Sequence, residues 1–128
     1  SIHYNHAMLL TIITWVLVFL FGIAGIMKMM MPKAKFDAKM PWAKNFSEKH
    51  LKLIGLAELL GALGLILPEW LGLWGWLMPL AALGLAIVAL LAARLHMKLK
   101  ENGPSVFALV IAVLALYLLW QNIGLLGL

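Results

Sequence analysis

The sequence predicts an all-α fold: an integral membrane four-helix bundle with both termini on the non-cytoplasmic side. Three observations carry that reading. The 128-residue chain is 65% hydrophobic and 12% charged, with a mean hydropathy of +1.02, more apolar surface than a domain of this size can hide from water. Four apolar runs approach the roughly 20 residues that a spanning helix needs at about 1.5 Å per residue. All ten lysines and arginines fall in two connectors, which four spans place on the same side.

The first helix is expected over about residues 7–28, since Ala7 to Met27 carries no formal charge. The second, about 51–67, is short before Pro68 and holds one carboxylate, Glu58, among leucine, isoleucine, glycine and alanine. The third, about 71–95, contains Pro79, which is expected to kink it, as packed membrane helices tolerate. The fourth, about 105–126, is interrupted only by Gln121 and Asn122. Hydrophobic runs with short connectors make residues 1–128 a single domain.

The connector from about 29 to 50 is basic. It holds Lys33, Lys35, Lys39, Lys44 and Lys49 between Lys28 and Lys52, and Arg94, Lys98 and Lys100 follow the third run. These connectors are expected to be cytoplasmic, in a bacterial inner (plasma) membrane. Trp70, Trp74, Trp76, Trp120 and Tyr117 are expected at the opposite interface, with Trp15 in the outer half of the first helix. Pro32 and Pro41 rule out one long helix in the connector, which is read as a surface segment dipping Met40, Trp42 and Phe46 into lipid. A net charge of +5 is explained by topology and anionic headgroups, so nucleic acid is not an expected partner.

The sequence has no cysteine, which removes thiolate nucleophiles, disulfide exchange and thiolate ligands. The first residues resemble neither a signal peptide nor a targeting signal. His3 and His6 have an HxxH spacing without helical or carboxylate context, and no metal site is expected. Tyr117, Gln121 and Asn122 are candidates to line an outer mouth.

A helical wheel puts Gly55, Ala57, Glu58, Gly61, Ala62 and Gly64, with Ile54 and Leu65, on one half of the second helix. Leu53, Leu56, Leu59, Leu60, Leu63, Ile66 and Leu67 form the other half, expected to face lipid. Small residues mark a packing face in a membrane, so Glu58 is expected to point into the bundle, roughly 9 Å from the boundary at Lys52. A buried carboxylate there must be paired, hydrogen-bonded or neutral. Lys28 is the expected partner, because Gly22, Gly25 and Lys28 form a strip like Gly55, Glu58 and Gly61. Arg94 and His96 are candidate third members. The pair is read either as a structural ion pair or as the core of a ligand or proton site. Ala82, Ala86, Ala89 and Ala93 form a further small face, for packing within the bundle or against a second copy.

"FGIAGIMKMMMP", "LIGLAELLGALGLILP" and "MPLAALGLAIVALLAARLH", in that order, resemble the DoxX-like family of small four-helix membrane proteins over about residues 10–120. The resemblance rests on Gly25 with Lys28, on Glu58 with Gly55, Gly61 and Gly64, and on Arg94 to His96. It implies a link to a thiosulfate:quinone oxidoreductase and to membrane oxidoreductase complexes, and distantly to NACHO, an animal chaperone of nicotinic receptor assembly. The bundle is also similar to that of vitamin K epoxide reductase, whose cysteine chemistry cannot carry over. Two functions are expected. One is an assembly, scaffolding or accessory component for other membrane proteins, without independent enzymatic activity. The other is a quinone-linked redox accessory subunit, with no cofactor evident other than a quinone held at Lys28, Glu58 and His96.

Overall fold

The computed structural model describes residues 2–128, with side chains from Tyr4 onward, and contains only helices among them. The long helices are α1 (Ile2–Met30), α3 (Glu48–Leu71), α4 (Leu77–Lys98) and α5 (Asn102–Asn122), with a short α2 (Lys33–Lys39) in the connector. One-turn 3-10 segments follow at Pro41–Asn45 and Ile123–Leu126. All four long helices have the length and hydropathy of a membrane span.

Local chemistry explains where these helices differ from the expected bounds. α3 begins at Glu48 because the Ser47 side chain accepts the His50 backbone N–H, and Glu48 is an acidic residue in the first turn. It runs through Pro68 and stops at Gly72, whose φ of 69° closes the turn while Leu73 N–H bonds the Pro68 carbonyl. The "LGLWGW" stretch is therefore a turn, and α4 starts at Leu77 rather than near residue 71. Pro79 does not kink α4, because it lies in the first turn, where its missing N–H has no intrahelical acceptor to lose.

Consecutive long helices pack antiparallel: α1 lies against α3, α3 against α4 and α4 against α5, while α1 and α5 touch sparingly. Trp15 meets Trp70 at one end of the α1–α3 pair, and Gly25 meets Gly55 toward the other. In α3 the buried face is Leu51, Gly55, Glu58, Ala62, Leu65 and Ile66. The wheel misassigned two positions, since Ala57 is exposed and Ile66 is buried. The α4 alanines at 82, 86, 89 and 93 are buried inside the chain, on the helix that packs most extensively on α5, whose own buried face is Ser105, Ala108, Ala112 and Ala115. Small side chains let these two backbones approach, which is how helices associate where lipid removes any hydrophobic driving force between them.

The connector folds into two short helical segments. Pro32 N-caps α2, Pro41 starts the 3-10 turn, and Phe36, Ala43 and Leu51 form a small second core with Met27, Met31, Trp42 and Phe46 packed on it. It closes the end of the bundle that carries the basic residues. Met40 is exposed, while Trp42 and Phe46 are half-buried against this second core.

Candidate functional site: a buried ion pair between two cavities

Two glycines make the site possible. A Cβ added to Gly25 would lie 2.6 Å from the Gly55 carbonyl oxygen, and one on Gly55 would lie 2.7 Å from the Gly25 oxygen, so the backbones of α1 and α3 are in direct contact. One helical turn on, this approach brings Lys28 Nζ to 2.6 Å from Glu58 Oε1. Glu58 is 4% exposed, and the side chain of Lys28 is nearly as enclosed. Gly25 and Lys28 of one strip therefore meet Gly55 and Glu58 of the other.

The contact is a close ionic one, and both partners are largely withdrawn from the surface. The Lys28 ammonium is the counter-charge that offsets the desolvation of the buried carboxylate.

Trp42 and His96 complete the surroundings. Lys28 Nζ sits 5.5 Å from the centroid of the Trp42 ring, a cation–π contact, and Trp42 meets His96 edge to face at 6.2 Å. Phe36 and Phe46 pack on Trp42 at 5.7 and 6.0 Å and fix its orientation. His96 Nδ1 lies 3.2 Å from Glu101 Oε1, across the turn where Glu101 N–H bonds the His96 carbonyl. Arg94, two residues away on α4, points outward and lines neither cavity of the site. Sequence reasoning missed Trp42 and Glu101. The signal for Trp42 was Pro41, which forces a turn back over the bundle. The signal for Glu101 was its position just past the end of α4.

Two cavities meet at this cluster. One, of about 290 Å³, lies among α1, α3, α4 and the connector and is lined by Lys28, Trp42, Phe46, Ile54, Glu58 and His96 with apolar residues of α4. The other, of about 300 Å³, lies among α1, α4 and α5, where Phe21, Ala24, Phe107 and Ile111 surround an apolar space. Glu58, Val88, Ala92 and His96 line both. The second cavity sits where α1 and α5 barely touch, and exposed Leu20 and Phe107 flank it.

The remaining sequence candidates divide. Gly61 receives the Leu85 side chain and Gly64 receives Ala81, so both serve packing on α4 and not on α1. Gly22 packs against nothing within 4 Å of where a Cβ would be, so it is not a packing glycine. Tyr117, Gln121 and His6 meet at the terminal end, with His6 Nε2 3.0 Å from Gln121 Oε1 and its ring edge-on to Tyr117. The HxxH spacing involves His3, whose side chain lies outside the described residues. No group of three or more His, Cys, Asp or Glu gathers among those described.

No curated protein and no solved structure matches this chain. A family model matches residues 12–118, from within α1 to within the last turns of α5, and covers Gly25, Lys28, Gly55, Glu58, Trp42 and His96. This membrane protein belongs to the DoxX-like family.

Proposed function

We propose that the protein is an accessory component of a membrane complex that holds an amphipathic, quinone-like ligand between its helices. The observation that carries this reading is the pair of cavities that meet at Glu58 and His96, with the Lys28–Glu58 ion pair buried in the first of them. A polar head in the first cavity takes a hydrogen bond from the Lys28 ammonium at a carbonyl oxygen. The second ring nitrogen of His96, opposite the one engaged by Glu101, is placed to bond the same head. Glu58 balances the ammonium and offers a route for a proton. The apolar second cavity suits a hydrocarbon tail. Any electrons would come from a partner subunit in this reading.

The orientation belongs to the same proposal. The basic connectors lie in the cytoplasm and both termini outside, supported by the placement of all ten basic residues at one end and exposed Trp70, Trp74, Trp76 and Trp120 at the other. The membrane is then the bacterial inner membrane.

The test is native mass spectrometry of protein released in mild detergent, with organic extraction of what co-purifies. The expected result is one amphipathic molecule per bundle, reduced in Glu58→Gln and in Ala92→Leu, which narrows the junction of the two cavities. A bundle that carries only bulk lipid in both wild type and variants would sink the ligand reading. It would leave the assembly role, in which exposed helix faces meet other membrane proteins or a second copy.

A further inference from the structure

The end of the bundle that carries the termini holds a separate cavity of about 250 Å³. Its polar lining is Thr11, Thr14, Glu69 and Asn122, and its aromatic lining is Trp15 and Trp70. The donors of these groups are largely spent on the backbone. Thr11 Oγ1 donates to the Ala7 carbonyl at 3.0 Å, and Thr14 Oγ1 donates to the Leu10 carbonyl at 2.8 Å. The Asn122 amide donates to the Leu118 carbonyl at 2.9 Å. What the hydroxyls offer an occupant is lone pairs, and the Glu69 carboxylate is an acceptor only.

Charge points the same way. Glu69 is the single Asp, Glu, Lys or Arg in residues 59–93, and residues 1–27 and 102–128 contain none. Apart from His6, which is engaged with Gln121, no basic side chain among the described residues lies at that end to balance it. The Trp15 and Trp70 rings stand 5.9 Å apart with their planes tilted by 40°, two indole surfaces beside the carboxylate. An anion entering this cavity would meet the Glu69 carboxylate and the lone pairs of the two threonine hydroxyls, which repel it.

We propose that this cavity binds an organic ammonium group. Glu69 and the threonine oxygens take its N–H donors, and the indole faces carry part of its charge, as aromatic rings do for cations within about 6 Å. Two sources share this chemistry: the amine headgroup of a phospholipid at the interface, and a small free amine. The site is independent of the ion pair at the other end, so Glu58→Gln leaves it unchanged.

Calorimetry and native mass spectrometry distinguish the sources. Protein in maltoside micelles is titrated with ethanolamine and with methylammonium chloride, against sodium chloride of equal ionic strength. In parallel, protein from nanodiscs of mixed phosphatidylethanolamine and phosphatidylglycerol is weighed with its retained lipid. Selective retention of phosphatidylethanolamine without binding of the free amines assigns the site to a lipid headgroup, and binding of the free amines assigns it to a small molecule. In either case Glu69→Gln weakens binding by about tenfold or more, as loss of a charge-assisted partner does. Thr14→Val, which removes an acceptor without removing charge, weakens it less. Glu69 is exposed, so its variant keeps the helical circular dichroism of the parent. Equal retention of the two lipids together with no amine binding, or binding that Glu69→Gln leaves intact, overturns the proposal.

Discussion

A single carboxylate fixes how α1 and α3 meet. Lys28→Met leaves Glu58 buried without its counter-ion, and such a loss typically costs about 3–5 kcal/mol. Lys28→Met with Glu58→Gln removes both charges and is expected to recover most of that stability. Thermal unfolding followed by helical circular dichroism in detergent compares the three proteins, and a double variant as unstable as the single would show that the pair holds the bundle by more than charge. Glycine spacing makes a second test. Gly25→Ala drives a Cβ against the Gly55 backbone and is expected to cost about 1–3 kcal/mol, whereas Gly22→Ala meets open space and gains up to about 1 kcal/mol in helix propensity. Equal effects of the two substitutions would contradict the observed backbone contact. Lys28, Glu58, Gly25 and Gly55 were legible in the sequence, because a lone carboxylate in an apolar run demands a partner and one strip of residues matched another. Gly22 was misread because a spacing shows which residues share a strip but not where the opposing helix ends its contact. Arg94 was misread because proximity along α4 to His96 places it on a different face.

Among the elements, α4 and α5 share the most extensive contact, and their seam is built of alanines. Ala86 is fully buried there, so Ala86→Leu overpacks the seam and is expected to cost about 1–3 kcal/mol. Leu90→Ala, on the exposed lipid-facing side of the same helix, should stay within about 0.5 kcal/mol of the parent. Chemical denaturation measures both, and a seam that accepts leucine without loss would argue against close approach of these helices. Element existence was legible from run length and hydropathy. Element ends were not, because each depends on a local device: the Ser47 cap, the left-handed Gly72 and the tolerance of the first turn of α4 for Pro79. The connector was the least legible part. Its prolines announce turns, but only the packed bundle gives Phe36 and Trp42 something to fold against.

At the scale of the whole molecule, the basic residues collect at one end and Trp70, Trp74, Trp76 and Trp120 at the other. A native sequence without cysteine gives a clean background for reporters of sidedness. Trp76→Cys is expected to react with an impermeant maleimide on intact cells, and Lys35→Cys only after permeabilisation. The opposite labelling pattern would invert the proposed orientation. Four helices packed in a ring, each against its sequence neighbour, leave the first and last adjacent across a sparsely filled gap, and His6 and Gln121 join them at the terminal end. The backbone is thereby a nearly closed loop with one covalent joint missing. A short linker between those ends, with new ends cut into the connector beyond α2, yields a rearranged gene product whose helix neighbours are all unchanged. A partner protein fused ahead of the first long helix or after the last is delivered to the same face of the membrane, beside the same pair of helices.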